Sequence, residues 1–211
     1  MTISNNDVIK WLQTYDQVIT ENKDYLTELD SIIGDADHGA NMHRGFQAVV
    51  TKLPGVQDKD IGVIFKTVGM TLLSTVGGAG GPLYSTLFIQ AGNRLNGKME
   101  LTLSDWAEAL EAANSGIVRL GKAAVGDKTM VDALTPAVQT LLDASKDGVS
   151  FEEALHMSAD AAKRGMESTI PLVARKGRAS YLGERSAGHQ DPGATSSYLL
   201  LKTAADVWTK K

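Results

Sequence analysis

Three aspartates within eight residues form the part of this sequence best suited to chemistry. Asp30, Asp35 and Asp37 surround Gly34, and Gly39 follows them. Alternating residues in an extended backbone point the same way, so we expect Asp35 and Asp37 to face one side, with Asp30 reaching toward them from the end of a helix. Three carboxylates this close repel one another unless a cation neutralises them. Oxygen ligands of this kind favour a hard ion, either Mg²⁺ or Ca²⁺.

The spacing of these carboxylates favours Mg²⁺ over Ca²⁺. The segment lacks the ligand spacing and the closing glutamate of an EF-hand. Mg²⁺ usually takes one or two carboxylates and leaves its other positions to phosphate oxygens, so a sparse aspartate loop suits a magnesium–phosphate site. The alternative is a polar turn between helices in which Asp37 is only an N-cap. The additional His38 and Asn41 in the same turn favour the metal site.

A glycine-rich segment and a long polar segment are candidates for holding phosphate. Gly77–Gly81 leads directly into an apolar helix, so its backbone N–H groups can surround phosphate oxygens. It is not a P-loop, because no Gly-Lys-Ser/Thr follows, and a flexible turn is the alternative. Residues 176–193 have no apolar periodicity, and their two arginines and four glycines favour a lid. Arg178 matches phosphate oxygens, although a solvated surface arginine is the usual case.

The run from Gly34 to Met42 resembles the signature of the L subunit, the nucleotide-binding subunit, of bacterial dihydroxyacetone kinases. Residues 75–82, 126–130 and 176–193 resemble further segments of the same family. The resemblance implies that the three aspartates bind metal, that Gly121 and Met130 lie along the adenine, and that residues 191–193 close over the nucleotide. The full implied set of nucleotide contacts is His38, Gly39, Ala40, Asn41, Ala79, Gly80, Gly121, Met130, Arg178, Asp191, Pro192 and Gly193.

One position departs from the family pattern. Relatives commonly have serine where this chain has Gly80. The change removes a hydroxyl that can bond a phosphate and leaves only the backbone donor. We expect binding to survive this change.

The resemblance also implies a reaction and partners. Similar proteins bind ADP with two Mg²⁺ ions and pass a phosphoryl group to dihydroxyacetone, which a separate K subunit holds on a histidine. A separate L chain resembles the form served by the phosphotransferase system, in which a phosphohistidine on an M subunit rephosphorylates bound ADP in place. Lacking a sugar-binding domain, this chain should be catalytically incomplete alone; its oligomeric state stays open, with a homodimer as one option.

Three alternatives remain at this point. The first is an ATP-dependent kinase half of the same family. The second is a magnesium–nucleotide sensor that binds a regulator and catalyses no reaction. The third alternative is a structural helical bundle with an incidental acidic turn, which predicts no nucleotide affinity. The sequence contains no Ser-His-Asp or Cys-His pattern, so nucleophilic catalysis is not indicated.

The elements that must position these residues are predicted to be helices. Apolar residues at helical spacing, with recognisable caps, predict helices from about Asp7 to Leu29, His38 to Leu53, Ile61 to Leu73, Leu83 to Leu95, Met130 to Leu142 and Ala194 to Trp208. The pairs Thr102/Asp105 and Ser150/Glu153 read as capping boxes that open helices of about 20 residues each. We expect Pro136 to lie in the first turns of its helix or to kink it, and Pro171 to bend or divide the Ser150 helix.

The pattern contains no convincing strand, so the predicted fold class is all-α. About eight helices joined by mostly short turns predict a bundle or helical barrel, and the family fold is an antiparallel eight-helix barrel with the nucleotide site at one end. We expect residues 1–211 to form a single domain.

Composition excludes several classes of protein. The net charge is −4 with no basic run, so nucleic acid is not an expected partner. The 211 residues include no cysteine, which excludes disulfides and agrees with a reducing cytoplasm. The polar N-terminus does not read as a signal peptide, and no apolar run approaches the ~18 residues that span a membrane. We therefore expect a soluble cytoplasmic protein.

Overall fold

The computed structural model describes residues 1–209, which are built mostly from helices. They are α1 (Asn5–Glu21), α2 (Lys23–Ile33), α3 (His38–Lys52), α4 (Ile61–Thr75), α5 (Gly80–Arg94), α6 (Leu103–Gly121), α7 (Met130–Lys146), α8 (Phe151–Ser168) and α9 (Pro192–Trp208), with 3₁₀ helices at Leu53–Gly55 and Arg178–Ser186. The strands β1 (Ile3–Ser4) and β2 (Glu100–Leu101) form one short antiparallel ribbon. The all-α prediction is confirmed. No helix within residues 1–209 is long and apolar enough to cross a membrane.

The helices form a closed ring. Each helix from α3 to α9 packs against the next one along the chain, and α9 packs against α1. Both α1 and α2 pack against α3 and α9, so together they fill one place in the ring. Neighbours joined by short turns alternate in direction. As a result, α3, α5 and α7 begin at the end of the ring where α2, α4, α6 and α8 finish. Helix α9 begins there too, because Asp191 N, just before α9, donates to Thr169 Oγ1, just after α8, at 3.0 Å.

The helix predicted from about Asp7 to Leu29 is divided into α1 and α2. The number of α-helices within residues 1–209 is therefore nine rather than the predicted eight. The break lies at Asn22, whose side-chain amide donates to Val18 O at 2.8 Å and whose backbone N–H also bonds Val18 O. A side chain that bonds nearby carbonyls offers the backbone an alternative to continuing the helix. After the break, α2 extends to Ile33, four residues beyond the predicted end at Leu29.

An aromatic cluster fills the end of the ring away from these helix starts. The ring centroids of Trp11, Trp106 and Trp208 lie 5.0–5.6 Å apart, and all three side chains are buried. Trp106 is near the start of α6 and Trp208 ends α9, which places the cluster at the opposite end from the start of α9. The apolar core extends along the chain from Ile3 to Trp208.

Several predicted helix ends are confirmed by side-chain caps. Asp60 accepts a hydrogen bond from Val63 N at 3.0 Å and starts α4. Thr102 and Asp105 form the reciprocal capping box that starts α6. The Ser150 hydroxyl caps α8, but within residues 1–209 Glu153 returns no bond to the Ser150 N–H, so this is only half of the predicted box.

One of the two proline predictions is confirmed and the other is wrong. Pro136 lies in the second turn of α7, among the first turns of its helix as predicted. Because it lacks an N–H, it leaves Asp132 O without its helical donor. Gly165 of α8 packs at that carbonyl, so closely that a Cβ on Gly165 would lie 2.1 Å from Asp132 O. Helix α8 ends at Ser168 and Pro171 follows it, so Pro171 neither bends nor divides the helix.

Candidate functional site

A cavity of about 290 Å³ opens at the end of the ring where α3, α5, α7 and α9 begin. Every residue predicted for the site lines it except Gly39 and Ala40. The predicted residues on its wall are Asp30, Asp35, Asp37, His38, Asn41, Ala79, Gly80, Gly121, Met130, Arg178, Asp191, Pro192 and Gly193. Helix N-termini carry partial positive charge and N–H groups without helical partners, so four of them at one cavity favour an anionic ligand.

The three aspartates converge at one side of the cavity. One carboxylate oxygen from each of Asp30, Asp35 and Asp37 lies within 4.8 Å of the other two. The expectation of an extended backbone is wrong, because Ala36 between the last two has φ 60° and lies in the left-handed region. A tight turn, rather than strand-like alternation, brings these carboxylates together. Three hard oxygen donors at this separation fit a divalent ion such as Mg²⁺.

Asp30 organises the turn around it. Its Oδ2 accepts hydrogen bonds from Asp37 N at 2.8 Å and His38 N at 3.0 Å, so Asp30 caps α3. Asp37 occupies the N-cap position yet makes no side-chain cap bond within residues 1–209, which argues against its role as a simple cap. A Cβ on Gly34 would lie 2.0 Å from Asp30 Oδ1. Glycine at position 34 therefore leaves room for that oxygen.

Arg178 contacts the acidic cluster directly. Its Nη2 lies 3.0 Å from Asp35 Oδ2, and its side chain is largely exposed. The 176–193 segment that carries it is more ordered than a plain loop, because residues 178–186 form a 3₁₀ helix. Ala179 and Leu182 of that helix pack with Ile33 of α2. The segment thus covers the side of the cavity that the aspartates line.

The glycine segment supplies backbone donors on the adjoining side. Helix α5 begins at Gly80, and within residues 1–209 no side chain caps its N-terminus. Its first N–H groups are thus available to an anion in the cavity. The segment is fixed from α3, since the Asn41 amide packs where a Cβ on Gly77 would lie, 3.1 Å from Asn41 Oδ1. That oxygen accepts from Arg44, which also donates to Thr75 O at 2.8 Å.

Gly39 and Ala40 do not line the cavity. A Cβ on Gly39 would lie 2.0 Å from Lys23 O and 2.5 Å from Thr27 Oγ1. Gly39 is therefore a close-packing position between α2 and α3. Its effect on the site is indirect, through the placement of the turn that carries the aspartates.

The opposite wall of the cavity is apolar. It is formed where α5, α6 and α7 meet, by Leu83, Ile117, Gly121, Ala123, Met130 and Val131. A cavity with acidic and N–H groups on one side and an apolar wall on the other suits a ligand with a charged part and a flat apolar part. A nucleotide has this construction.

His38 connects the acidic turn to α9. Its Nε2 lies 2.9 Å from Ser196 Oγ, and the same oxygen lies 2.7 Å from the hydroxyl of Tyr84 on α5. Burial lowers the pKa of His38, while the Asp30 and Asp37 carboxylates act in the opposite direction. This chain of contacts fixes the imidazole at the cavity wall.

Asp191 begins α9 beside the cavity. Its Oδ2 accepts a hydrogen bond from Ala194 N at 2.7 Å, so Asp191 is the N-cap of α9. Burial raises the pKa of Asp191 to about 7, and the Asp132 and Asp30 carboxylates act in the same direction. The Ala194 N–H and the Lys128 ammonium lower it.

The most important residue that the sequence did not single out is Lys128. It lines the cavity, is 1% exposed, and donates from Nζ to Thr169 O at 2.6 Å and to His189 O. Burial lowers the pKa of Lys128, against the Asp191 and Asp132 carboxylates. A single lysine in a polar loop is normally solvated, so the sequence carries no direct sign of this burial.

The start of α7 at Met130 was predicted, but the side chain that caps it was missed. Thr129 caps α7 in a reciprocal box with Asp132, and the buried Asp132 carboxylate accepts from Gly126 N as well as Thr129 N. The signal was available, because Thr129 and Asp132 have capping-box spacing ahead of an apolar stripe. Thr129 lines the cavity together with Lys176 and Tyr84, which were likewise not predicted.

Comparison with known proteins gives consistent matches. Residues 32–206 match the family model described as the DAK2 domain. The chain is 47% identical over 205 residues to the ADP-binding subunit DhaL of the PEP-dependent dihydroxyacetone kinase of Escherichia coli (strain K12), covering 97% of this chain and 98% of that one. It is 42% identical over 199 residues to the ADP-binding subunit DhaL of the PTS-dependent dihydroxyacetone kinase of Lactococcus lactis, covering 94% and 95%.

A solved structure supports the same relationship. The dihydroxyacetone kinase of C. freundii in complex with AMP-PNP and Mg²⁺ matches with a TM-score of 0.69 and 28% identity. The match covers 94% of this chain and 33% of that longer chain.

Proposed function

We propose that this chain, which belongs to the DAK2 domain family, is the ADP-binding subunit of a phosphoenolpyruvate-dependent dihydroxyacetone kinase. Within that family it belongs to the L subunits of dihydroxyacetone kinases. Of the relatives described above, the two that match over nearly their whole length are both described as ADP-binding subunits, one of a PEP-dependent and one of a PTS-dependent dihydroxyacetone kinase. The structural support comes from one cavity that combines three aspartates, a glycine-rich helix start and an apolar wall.

We assign the charged side of the cavity to magnesium and the diphosphate. Asp30, Asp35 and Asp37 would hold two Mg²⁺ ions, which neutralise phosphate oxygens when bound and stabilise the charge that develops during transfer. The first N–H groups of α5 would donate to phosphate oxygens without obstruction from a side chain. His38, fixed by Ser196, would donate to a phosphate oxygen, and Arg178 would turn from Asp35 toward one.

The apolar side would take the adenine. Gly121 and Met130 lie on the wall formed by α5, α6 and α7. Gly121 adds no side chain to this wall, and a Cβ there would lie 3.6 Å from Leu83 Cδ2. Asp191, Pro192 and Gly193 at the start of α9 would close over the nucleotide from the next side of the cavity.

The phosphoryl route follows from the PEP-dependent group of relatives. A phosphohistidine on an M subunit would give its phosphoryl group to bound ADP, breaking a phosphorus–nitrogen bond and forming a phosphoanhydride. The group would then pass to a hydroxyl of dihydroxyacetone on a K subunit. This step would break the new phosphoanhydride and form a phosphate ester, leaving ADP in the site and releasing the hydroxyl proton. The K and M subunits are thus the proposed partners, and the cytoplasm is the expected location.

Retained ADP is the direct test of this assignment. The protein is purified in buffer that contains MgCl₂ and no added nucleotide. It is then analysed by native mass spectrometry. We expect a species heavier than the polypeptide by ADP and magnesium, reduced to the polypeptide mass after EDTA and extensive dialysis. A protein that neither retains ADP nor binds it in a calorimetric titration with MgADP would contradict the proposal.

The ATP-dependent kinase half of the family is the second candidate. The observation in its favour is the structural match to a kinase solved with AMP-PNP, an ATP analogue. That match is 28% identical and covers a third of the longer chain, whereas the PEP-dependent relative from Escherichia coli is 47% identical and covered almost completely. The two candidates differ in whether ADP leaves the site after each turnover.

A further inference from the structure

We propose that Lys128 is a positioning residue that fixes the 176–193 segment over the cavity and thereby slows the release of nucleotide. The inference deepens the proposed function, because it takes the cavity to be the nucleotide site. The observation behind it is that the Lys128 side chain is buried and that, within residues 1–209, no carboxylate lies at salt-bridge distance from its amine.

The first argument is where the ammonium of Lys128 donates. One hydrogen bond goes to Thr169 O, directly after the last residue of α8, and the other to His189 O, two residues before Asp191. The end of α8 and the approach to α9 are therefore joined through a single side chain. A cation at the C-terminal end of a helix is also favoured by the helix dipole.

The second argument is that the same short loop binds both ends of the segment. Asp127 O accepts a hydrogen bond from Arg175 N at 3.1 Å, immediately before the segment begins at residue 176. Lys128 holds His189 near its other end. Residues 127 and 128 thus secure the two ends of the segment that carries Arg178.

The third argument is that Thr169, which Lys128 holds, itself positions Asp191. The Thr169 hydroxyl accepts a hydrogen bond from Asp191 N at 3.0 Å and donates to Met166 O at 2.6 Å. Nearby, Gly188 N donates to Ile170 O at 2.7 Å. Lys128, Thr169 and Asp191 form a continuous set of contacts from the α6–α7 loop to the start of α9.

The backbone of Lys128 is itself unusual. Its φ of 63° lies in the left-handed region, which a non-glycine residue rarely occupies. This conformation is held by the turn in which the Asp132 carboxylate accepts from Gly126 N and Thr129 N. The turn carries the side chain inward, where it is almost fully buried.

The test compares Lys128→Met with Lys122→Met. Both changes remove one positive charge and keep an unbranched side chain, and both positions have a left-handed backbone in the same connection between α6 and α7. Lys122 is exposed and does not line the cavity, so it is the matched control. Two quantities are measured: amide hydrogen exchange in the nucleotide-free protein and release of a fluorescent ADP analogue in the presence of MgCl₂.

We expect Lys128→Met to speed exchange at the Gly188 and Asp191 amides and to raise the dissociation rate constant of the analogue by about tenfold or more, as the loss of a charge-assisted hydrogen bond implies. Amides of the distant aromatic core keep their relative protection. Lys128→Arg, which can donate to both carbonyls, restores slow release. Lys122→Met behaves like the unsubstituted protein in both measurements.

The outcomes separate this inference from the proposed function. Wild-type protein that does not bind the ADP analogue would contradict the proposed function, while the exchange data would still test the role of Lys128. Faster release with unchanged exchange would overturn the inference, since Lys128 would then contact the nucleotide itself. Unchanged exchange and release, or a uniform loss of protection across the chain, would overturn it too. If Lys128→Met does not fold, Lys128→Gln is measured against Lys122→Gln with the same expectations.

Discussion

At the scale of single residues, the aspartate cluster is the feature whose removal distinguishes ligand binding from folding. We expect Asp35→Asn and Asp37→Asn each to abolish magnesium-dependent binding of ADP while leaving helix content unchanged. Each change removes a metal ligand but also relieves repulsion among three carboxylates whose oxygens lie within 4.8 Å of one another. The measurement is calorimetric titration with MgADP, together with far-ultraviolet circular dichroism.

The control for this pair is Asp58→Asn, which removes an exposed carboxylate from the turn that leads into α4. It should bind MgADP like the unsubstituted protein. Unchanged affinity in both Asp35→Asn and Asp37→Asn would refute the metal assignment.

Gly80 is the second residue with a definite expectation. We expect Gly80→Ser to leave nucleotide affinity unchanged or to raise it several-fold, because an added phosphate hydrogen bond contributes about 1 kcal/mol. The structure has room for it: a Cβ at position 80 would lie 3.5 Å from Val76 Cγ1, an ordinary contact. Titration of both proteins with MgADP checks this. A several-fold loss of affinity would mean that the start of α5 cannot accept a side chain.

At the scale of elements, the start of α9 should make the stability of the nucleotide-free protein depend on pH. The pKa of the Asp191 carboxyl is about 7 in the folded chain, against about 3.9 for an unfolded aspartate. Between these values the folded state holds a proton that the unfolded state has lost. This group therefore lowers the free energy of unfolding as pH rises from about 4 to about 7.

The corresponding measurement is urea unfolding of the EDTA-treated protein at several pH values in this window. We expect Asp191→Asn, which keeps an N-cap side chain, to remove this contribution. The substituted protein should gain stability relative to the original as pH rises. Parallel pH profiles for the two proteins would show that Asp191 titrates normally.

Helix types and most helix starts could be predicted because they depend on local signals. Asp60, Thr102 and Pro192 stand at or beside the helix starts they indicate. The break at Asn22 could not be placed, because the periodic apolar pattern continues through it. The end of α8 could not be placed either, since it depends on contacts of Thr169 with distant residues.

Of the residues that line the cavity, those in local sequence motifs could be predicted in the same way as the helix starts. Local motifs located the aspartates and the glycine segment, and the family resemblance supplied the residues on the apolar wall and at the start of α9. Lys128 could not be found in this way, since its burial arises only when the end of α8 and the approach to α9 close around it. Gly39 was assigned to the nucleotide, although its visible constraint is the approach of α2 to α3.

At the scale of the whole molecule, the packed aromatic core and the candidate site lie at opposite ends of the ring of helices. The tryptophan cluster lies at one end, and the cavity with its four helix starts lies at the other. The cavity is closed from several sides, by the aspartate turn, the glycine segment and the 176–193 segment. Such closure slows exchange of a bound ligand. A subunit that keeps its ADP and has it rephosphorylated benefits from slow exchange, whereas one that must release ADP in every turnover does not.

The source of the phosphoryl group is the most direct test of this account. Product formation from dihydroxyacetone is followed with this chain and the K subunit, supplied either with ATP alone or with phosphoenolpyruvate, the general phosphotransferase proteins and the M subunit. We predict sustained turnover only in the second mixture, with little more than one product per site from ATP. Sustained turnover with ATP alone, at a rate matching the phosphoenolpyruvate system, would contradict the account and establish the ATP-dependent alternative.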